Sequence, residues 1–156
     1  MRTNETAVER RIVIEAGRRT VWQVMVERGL NSMHLLRDEH GHPLKEGNKL
    51  AWHPLNATGD DSTAVIKGHI TVIAPPRRLA LMAFMPACGL PDVPENYTEV
   101  EISLTEEDGR TLVVVDLGDF ARLPHGARIA KQTGDLWVEA LIRWKWMVEQ
   151  EQEAAA

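Results

Sequence analysis

The stretch Gly126–Glu149, GARIAKQTGDLWVEALIRWKWMVE, decides the fold. Its large apolar residues fall at Trp137, Leu141, Trp144 and Val148, with Ala130 and Gly134 upstream, so the spacing alternates between three and four and draws one continuous stripe along a helix. Arg143, Lys145, Glu149 and Glu151 occupy other faces, whereas Trp146 and Met147 widen the apolar side beyond what a simple surface helix needs. Such a stripe has to lie against a second apolar layer. The pattern fits a core helix with indoles as filler, and it fits a helix that crosses a curved sheet and walls one side of a ligand cavity.

The rest of the chain supplies the sheet. Val8 to Glu15 alternates, with Val8, Arg10, Ile12 and Ile14 on the more apolar face. Arg19 to Arg28 then clusters Val21, Trp22, Val24, Met25 and Val26 as a short helix with Thr20 as cap and Gly29 as stop, and Leu30 to Arg37 reads as a second short helix. Asn48 to Pro54 is a strand, followed by an exposed loop with Asn56, Gly59, Asp60 and Asp61. Thr63 to Ala74 is a longer strand with Ala64, Ile66, Gly68, Ile70 and Val72 on one face; Gly68 predicts a bulge or bend there. Pro75-Pro76 forces a turn into the strand Arg78 to Met85. Pro86 to Asn96, with three prolines and a glycine, is a loop long enough to suspect function. Tyr97 to Glu106 and Thr111 to Gly118 form a hairpin about Glu107-Asp108-Gly109-Arg110. Strand, two short helices, five strands and a long helix predict an α+β fold, in which one face of an antiparallel sheet is covered by the last helix.

The 156 residues fit a single domain, 1–156, with an ordered core over about 8–150 and a fraying tail. A hydrophobic share of 44% and a charged share of 26% are those of an ordinary globular chain. The net charge of −5, with both signs interspersed, argues against a sequence-independent hold on nucleic acid or anionic lipid. One cysteine, Cys88, allows no intrachain disulfide and fits a reducing compartment. Met1 to Arg11 is polar and no apolar run approaches the roughly 20 residues of a span, so neither a leader nor a membrane segment is expected and the expected location is cytoplasmic.

Four motifs stand in a recognisable order: IVIEAGRRTVW at Ile12–Trp22, GHITVIAPPRRL at Gly68–Leu79, GRTLVVV at Gly109–Val115, and the W-x-x-x-L-x-x-W-K-x-x-V-E pattern at Trp137–Glu149. Together they resemble the START-like or SRPBCC superfamily, and within it the Aha-type group related to the activator of the heat-shock chaperone ATPase, over nearly the whole chain from Val8 to Glu149. The resemblance implies a helix-grip fold: a bent antiparallel sheet of about six strands wrapped around the long C-terminal helix, with a cavity between them that in many relatives holds an apolar or amphipathic small molecule. Two departures are visible. Gly134 precedes Trp137 by three residues where the family often has glycine directly before the tryptophan, and Leu117 stands where relatives often carry histidine.

Candidate ligand-binding residues are Trp52, Ile70, Met82, Phe84, Val100, Val113, Val115, Trp137, Leu141 and Trp144, with Trp22 beside them; all would serve equally well as plain core. Trp52 and Trp137 offer the largest rigid surfaces plus one donor each, and His53 or His69 is placed to hydrogen-bond at an entrance. His34, Asp38, His40 and His42 lie close together but in no recognised ligand spacing, and read as a solvated loop; no metal and no cofactor is expected. Cys88 lacks a cationic neighbour in sequence and reads as a resting thiol. Glu99 and Glu101, two apart on one strand face, have the pairing of an acid and a base but also that of any wet strand face; Asp116 and Asp119 are read likewise. Leu112 and Val114 leave both faces of the last strand apolar, which predicts either a cover or a homodimer contact. The expected function is binding of a small hydrophobic or aromatic molecule between sheet and helix. The alternatives are a cyclase- or aromatase-like enzyme using the same cavity, which needs a titratable group inside it, and a chaperone-regulating interaction domain, which needs an organised outer face.

Overall fold

Strand alternation becomes six strands in a computed structural model that describes residues 6–28, 45–47, 49–52 and 66–155. They are β1 (Ala7–Ile14), β2 (Lys49–Trp52), β3 (Ile66–Ala74), β4 (Arg78–Phe84), β5 (Thr98–Glu107) and β6 (Arg110–Asp119). They form one sheet in the order β1-β6-β5-β4-β3-β2, with every neighbour antiparallel. Chain order and sheet order agree from β2 to β6, as hairpin connections require, and only β1 crosses to pair outside β6. After β1 comes α1 (Arg18–Trp22), which runs on as a π-helical stretch over Gln23–Arg28; the chain ends in α2 (Gly126–Ala155). This is the helix-grip α+β architecture. The second short helix expected over Leu30–Arg37 lies outside the described residues.

Three local expectations are corrected. Thr20 does not cap α1: the cap is Gly17, in extended conformation and without a side-chain hydrogen bond, and the Arg18 N–H is taken instead by the Glu106 carboxylate of β5 at 2.6 Å. A cap supplied from a distant strand leaves no local signature. Gly68 is not the bulge. It is a close backbone approach, where a Cβ would run into the carbonyl of Met82 on β4. The register slips between Ile70 and Val72, so Val72 pairs with Ala80 and Ile73 takes the place opposite buried Leu79.

One sheet face carries the core. Ile66 and Ile70, Leu79, Leu81 and Ala83, Val100, Ile102 and Leu104, and Val113, Val115 and Leu117 are all buried. From α2 they meet Ile129, Ala130, Trp137, Ala140, Leu141, Trp144 and Val148, each also buried. Burial of each large side chain stabilises by about 1.5–3 kcal/mol, so the α2 stripe alone outweighs any propensity effect within the helix.

The helix does not run down the middle of the sheet; its closest partner is β1. Gly134 makes this possible, since a Cβ there would stand 3.1 Å from Val8 Cγ1 and 2.5 Å from Arg10 Nη2. Three turns on, Lys145 Nζ donates to the Val13 carbonyl at 2.7 Å, and the Glu149 carboxylate accepts the Glu15 N–H at 2.9 Å. Lys145 and Glu149 also pair with each other at 2.6 Å. They occupy backbone groups on the free edge of β1, which limits its use as a template for another strand. Burial pushes the Glu149 carboxyl upward, but the Glu15 N–H and Lys145 outweigh it and leave its pKa lowered.

Candidate functional site

Because α2 leans toward β1, its first half stands away from the β3–β5 side of the sheet, and a gap remains there. Its floor is Ile66, Ala83, Phe84, Thr98 and Val100; its roof is Ile129, Thr133 and Trp137 of α2; Phe120 and Leu123 close it at the β6–α2 connection. Met85, Cys88 and Asn96 come from the β4–β5 loop that folds over the open end. Among the described residues the gap holds about 20 Å³, room for a single water. Pockets for drug-sized ligands enclose about 300–1,000 Å³, so entry of one requires the walls to move.

The wall is apolar apart from a few groups. The buried Thr133 hydroxyl donates back to the Ile129 carbonyl at 2.7 Å and lies 3.8 Å from Met85 Sδ. Asn96 Nδ2 donates to the Pro91 carbonyl at 2.8 Å, which shapes the loop. Buried Cys88 ends a 3₁₀ turn, Pro86–Cys88, and its carbonyl accepts Arg128 Nη2 at 3.3 Å. Trp144, in an edge-to-face contact with Trp137 at 6.0 Å between ring centroids, has a buried Nε1 with no hydrogen-bond partner among the described residues. An unmet donor of this kind costs about 1–3 kcal/mol.

The loop over the opening is fastened at several points. Arg122 donates to the carbonyls of Glu95 and Tyr97, and Lys67 on β3 pairs with Asp92. The Tyr97 hydroxyl donates to Asp92 at 2.7 Å, while its ring stacks on Phe84 at 5.2 Å. The hydrogen bond from Lys67, then that from Tyr97, holds the Asp92 carboxyl below its usual range. Burial, reinforced by the Asp92 hydrogen bond, pushes the Tyr97 phenol up to about 12.

Of the ten residues expected at the ligand, Phe84, Val100 and Trp137 line this gap. Ile70, Val113, Val115, Leu141 and Trp144 are buried in the surrounding core but are not in its lining, and Trp22 is likewise buried. Met82 is placed otherwise: it is half-buried, and pairs with His69 and Glu99, both exposed, on the face opposite Leu81 and Ala83. Trp52 takes its backbone position opposite Ile66, but its side chain, like His53 and the His34–His42 loop, lies outside the described residues. Glu101 pairs with Arg78 at 2.9 Å, a hydrogen bond that raises the guanidinium pKa, and Glu99 is exposed beside it. Asp116 accepts the Gly118 N–H, and Asp119 accepts Thr6 Oγ1 and the Ala121 N–H, so both shape the end of β6. Leu117 is buried where the resemblance led one to look for histidine. Among the described residues no group of three His, Cys, Asp or Glu side chains is placed to hold a metal, and no helix is long and apolar enough to cross a membrane. Nothing in the sequence singles out Asn96, or Met85 at the end of its strand, as part of the wall; Cys88 reads only as a resting thiol, in a segment marked by its length and proline content.

Solved structures share this arrangement. CalU16 from Micromonospora echinospora is 20% identical, with a TM-score of 0.63 over 96% of this chain and 84% of its own. The Aha1 protein of Colwellia psychrerythraea, solved in solution as a dimer, is 16% identical, with a TM-score of 0.62 over 89% of this chain and 92% of its own. DynU16, from the dynemicin biosynthetic locus, is 15% identical with a TM-score of 0.65; the match covers 92% of this chain, which spans about half of that protein at 47%. At these identities the likeness is one of fold. No curated protein matches the sequence. The family model described as "Activator of Hsp90 ATPase homolog 1-like protein" matches residues 15–150, and the chain belongs to that family.

Proposed function

We propose that the chain binds a small hydrophobic or aromatic molecule in the gap between the sheet and the first half of α2. One observation carries this: α2 rests on the sheet edge, at Gly134 against Val8 and through Lys145 and Glu149, and an apolar-walled space is left between its first half and the β3–β5 side. Binding draws on apolar area removed from water, at about 25 cal/mol per Å² before ordering costs. Opening requires release of the β4–β5 loop, from which Met85, Cys88 and Asn96 reach the gap. Among the described lining groups the sole titratable side chain is Cys88, which favours binding over acid–base turnover. The test is native mass spectrometry of the protein from its own source, beside Ala83→Leu, in which added methyl groups fill the gap. A co-purifying small molecule that is lost in the variant supports the proposal; a bare protein mass in both, with no added apolar probe retained, contradicts it.

A second function has the family description in its favour: an interaction domain that regulates a chaperone ATPase through its outer surface. Binding to a purified Hsp90-type chaperone with a change in its ATPase rate tests it, and no change at saturation refutes it. The Colwellia relative is a dimer, and we take self-association of this chain as part of the same proposal.

A further inference from the structure

Large apolar side chains exposed on a folded surface usually stand singly. Here three of the five among the described residues, Val138, Ile142 and Trp146, lie four apart on α2 and are 37%, 57% and 64% exposed. That spacing sets them in one line on the helix, on the side away from buried Trp137 and Trp144. The helix is therefore apolar on two faces, and the fold uses one.

We propose that a second copy of this chain covers the other, by antiparallel pairing of the two α2 helices about a two-fold axis at Ile142. The inference rests on the self-association named above and adds the surface, which differs from the outer face of β6 expected from Leu112 and Val114. A two-fold axis at Ile142 sets each Trp146 against the partner's Val138, large against small; parallel pairing would instead stack indole on indole and leave valine facing valine. Charge agrees with this register. Glu139 and Arg143 stand one residue after Val138 and Ile142, on one flank of the stripe, 3.7 Å apart within the helix. In an antiparallel pair like flanks meet, and Glu139 falls two residues of rise, about 3 Å, from the partner's Arg143. The ion pair within each helix thus gains a crossing partner, twice per dimer. Three side chains from each copy form a patch smaller than the roughly 800 Å² per partner of a standard interface, so the dimer is weak and concentration-dependent.

The experiment is sedimentation equilibrium of the full chain over a concentration series, beside Ile142→Glu and Leu112→Glu, with folding checked by circular dichroism. Single cysteines at 142, or mixed chains with cysteines at 138 and 146, are then oxidised in a Cys88→Ser background. We expect the mass to rise from 17.5 kDa toward twice that value. We expect Ile142→Glu to weaken association by about tenfold or more, about 1.4 kcal/mol or more. Ile142→Cys should link to itself, and Val138→Cys to Trp146→Cys but not to itself. A dimer untouched by Ile142→Glu but lost in Leu112→Glu overturns this surface and leaves self-association standing. A monomer at every concentration overturns both.

Discussion

Replacing Trp137 by alanine puts the packing of α2 against the gap to a quantitative test. The indole is fully buried, forms part of the cavity wall and meets Trp144 edge to face. Its removal loses the transfer free energy of the side chain and leaves a void that joins the existing gap, so neighbours cannot collapse fully into it. At about 24 cal/mol per Å³, a residual void on the order of 100 Å³ costs roughly 2.4 kcal/mol, which with the transfer term gives a total near the upper end of the usual 3–5 kcal/mol. That is a large part of a typical domain stability of about 5–15 kcal/mol. Urea unfolding followed by far-ultraviolet circular dichroism reads the loss as a lower midpoint at unchanged slope. Trp146→Ala, at a 64% exposed site two and a half turns along, should cost within about 0.5 kcal/mol in dilute solution. Indole added to Trp137→Ala should refill the space; at 100 times its dissociation constant it restores about 2.7 kcal/mol. Equal losses for the two tryptophan variants, or no recovery with indole, would refute the placement of this side chain in the cavity wall.

Further expectations concern the contacts that set the gap and its cover. Gly134→Leu must push Val8 and Arg10 away from α2 and should cost about 1–3 kcal/mol, read by the same urea titration, while a neutral outcome would mean that α2 does not depend on this approach to lean on β1. Tyr97 is the single tyrosine, so the phenolate absorbance reports it alone; we expect titration near 12, moving back toward the ordinary value of about 10 in Asp92→Asn. Its raised folded pKa contributes stability that is complete below the unfolded pKa and is lost as pH rises through the folded one. Asp92 works in the opposite direction: its depressed pKa gives stability present above the unfolded value of about 3.9 and lost as pH falls through the folded value, so amide protection over Leu90–Asn96, taken relative to the intrinsic exchange rate at each pH, should fall in acid in the native protein and show no such acid step in Asp92→Asn. Removing both edge contacts with Lys145→Met and Glu149→Leu frees the Val13 carbonyl and Glu15 N–H, and light scattering should then show faster aggregation than in the native chain.

The sequence made the architecture legible where the signal is one-dimensional. Two-residue alternation marked the strands, and the Trp137–Leu141–Trp144–Val148 stripe marked the helix that covers them, because each pattern follows from the geometry of a single element. What the sequence hid was set by contacts between elements. The slip at Ile70/Val72 depends on Val72 finding Ala80, and the cap of α1 on Glu106, 88 positions from Arg18. Alternation tells which face a residue takes but not where the helix leans. The lean is fixed by Gly134 against Val8 and Arg10, and by Lys145 and Glu149 reaching back 132 and 134 positions to β1. For that reason Val113 and Val115 are buried in the core away from the gap, while Thr98 and Ala83 border it. Loop side chains such as Met85 and Asn96 have no period to betray them, and Met82 shows the converse, a large apolar residue whose register sends it to the outer face.

The most direct test of the ligand gap is a nuclear magnetic resonance titration with an aromatic probe, recording contacts between probe protons and side-chain methyl groups. The account predicts cross-peaks to Val100, Ile129 and Thr133, together with the Trp137 ring, and their loss in Ala83→Leu. Cross-peaks confined to surface residues such as Val93 and Val13, with those methyl signals unmoved at saturating probe, would contradict it.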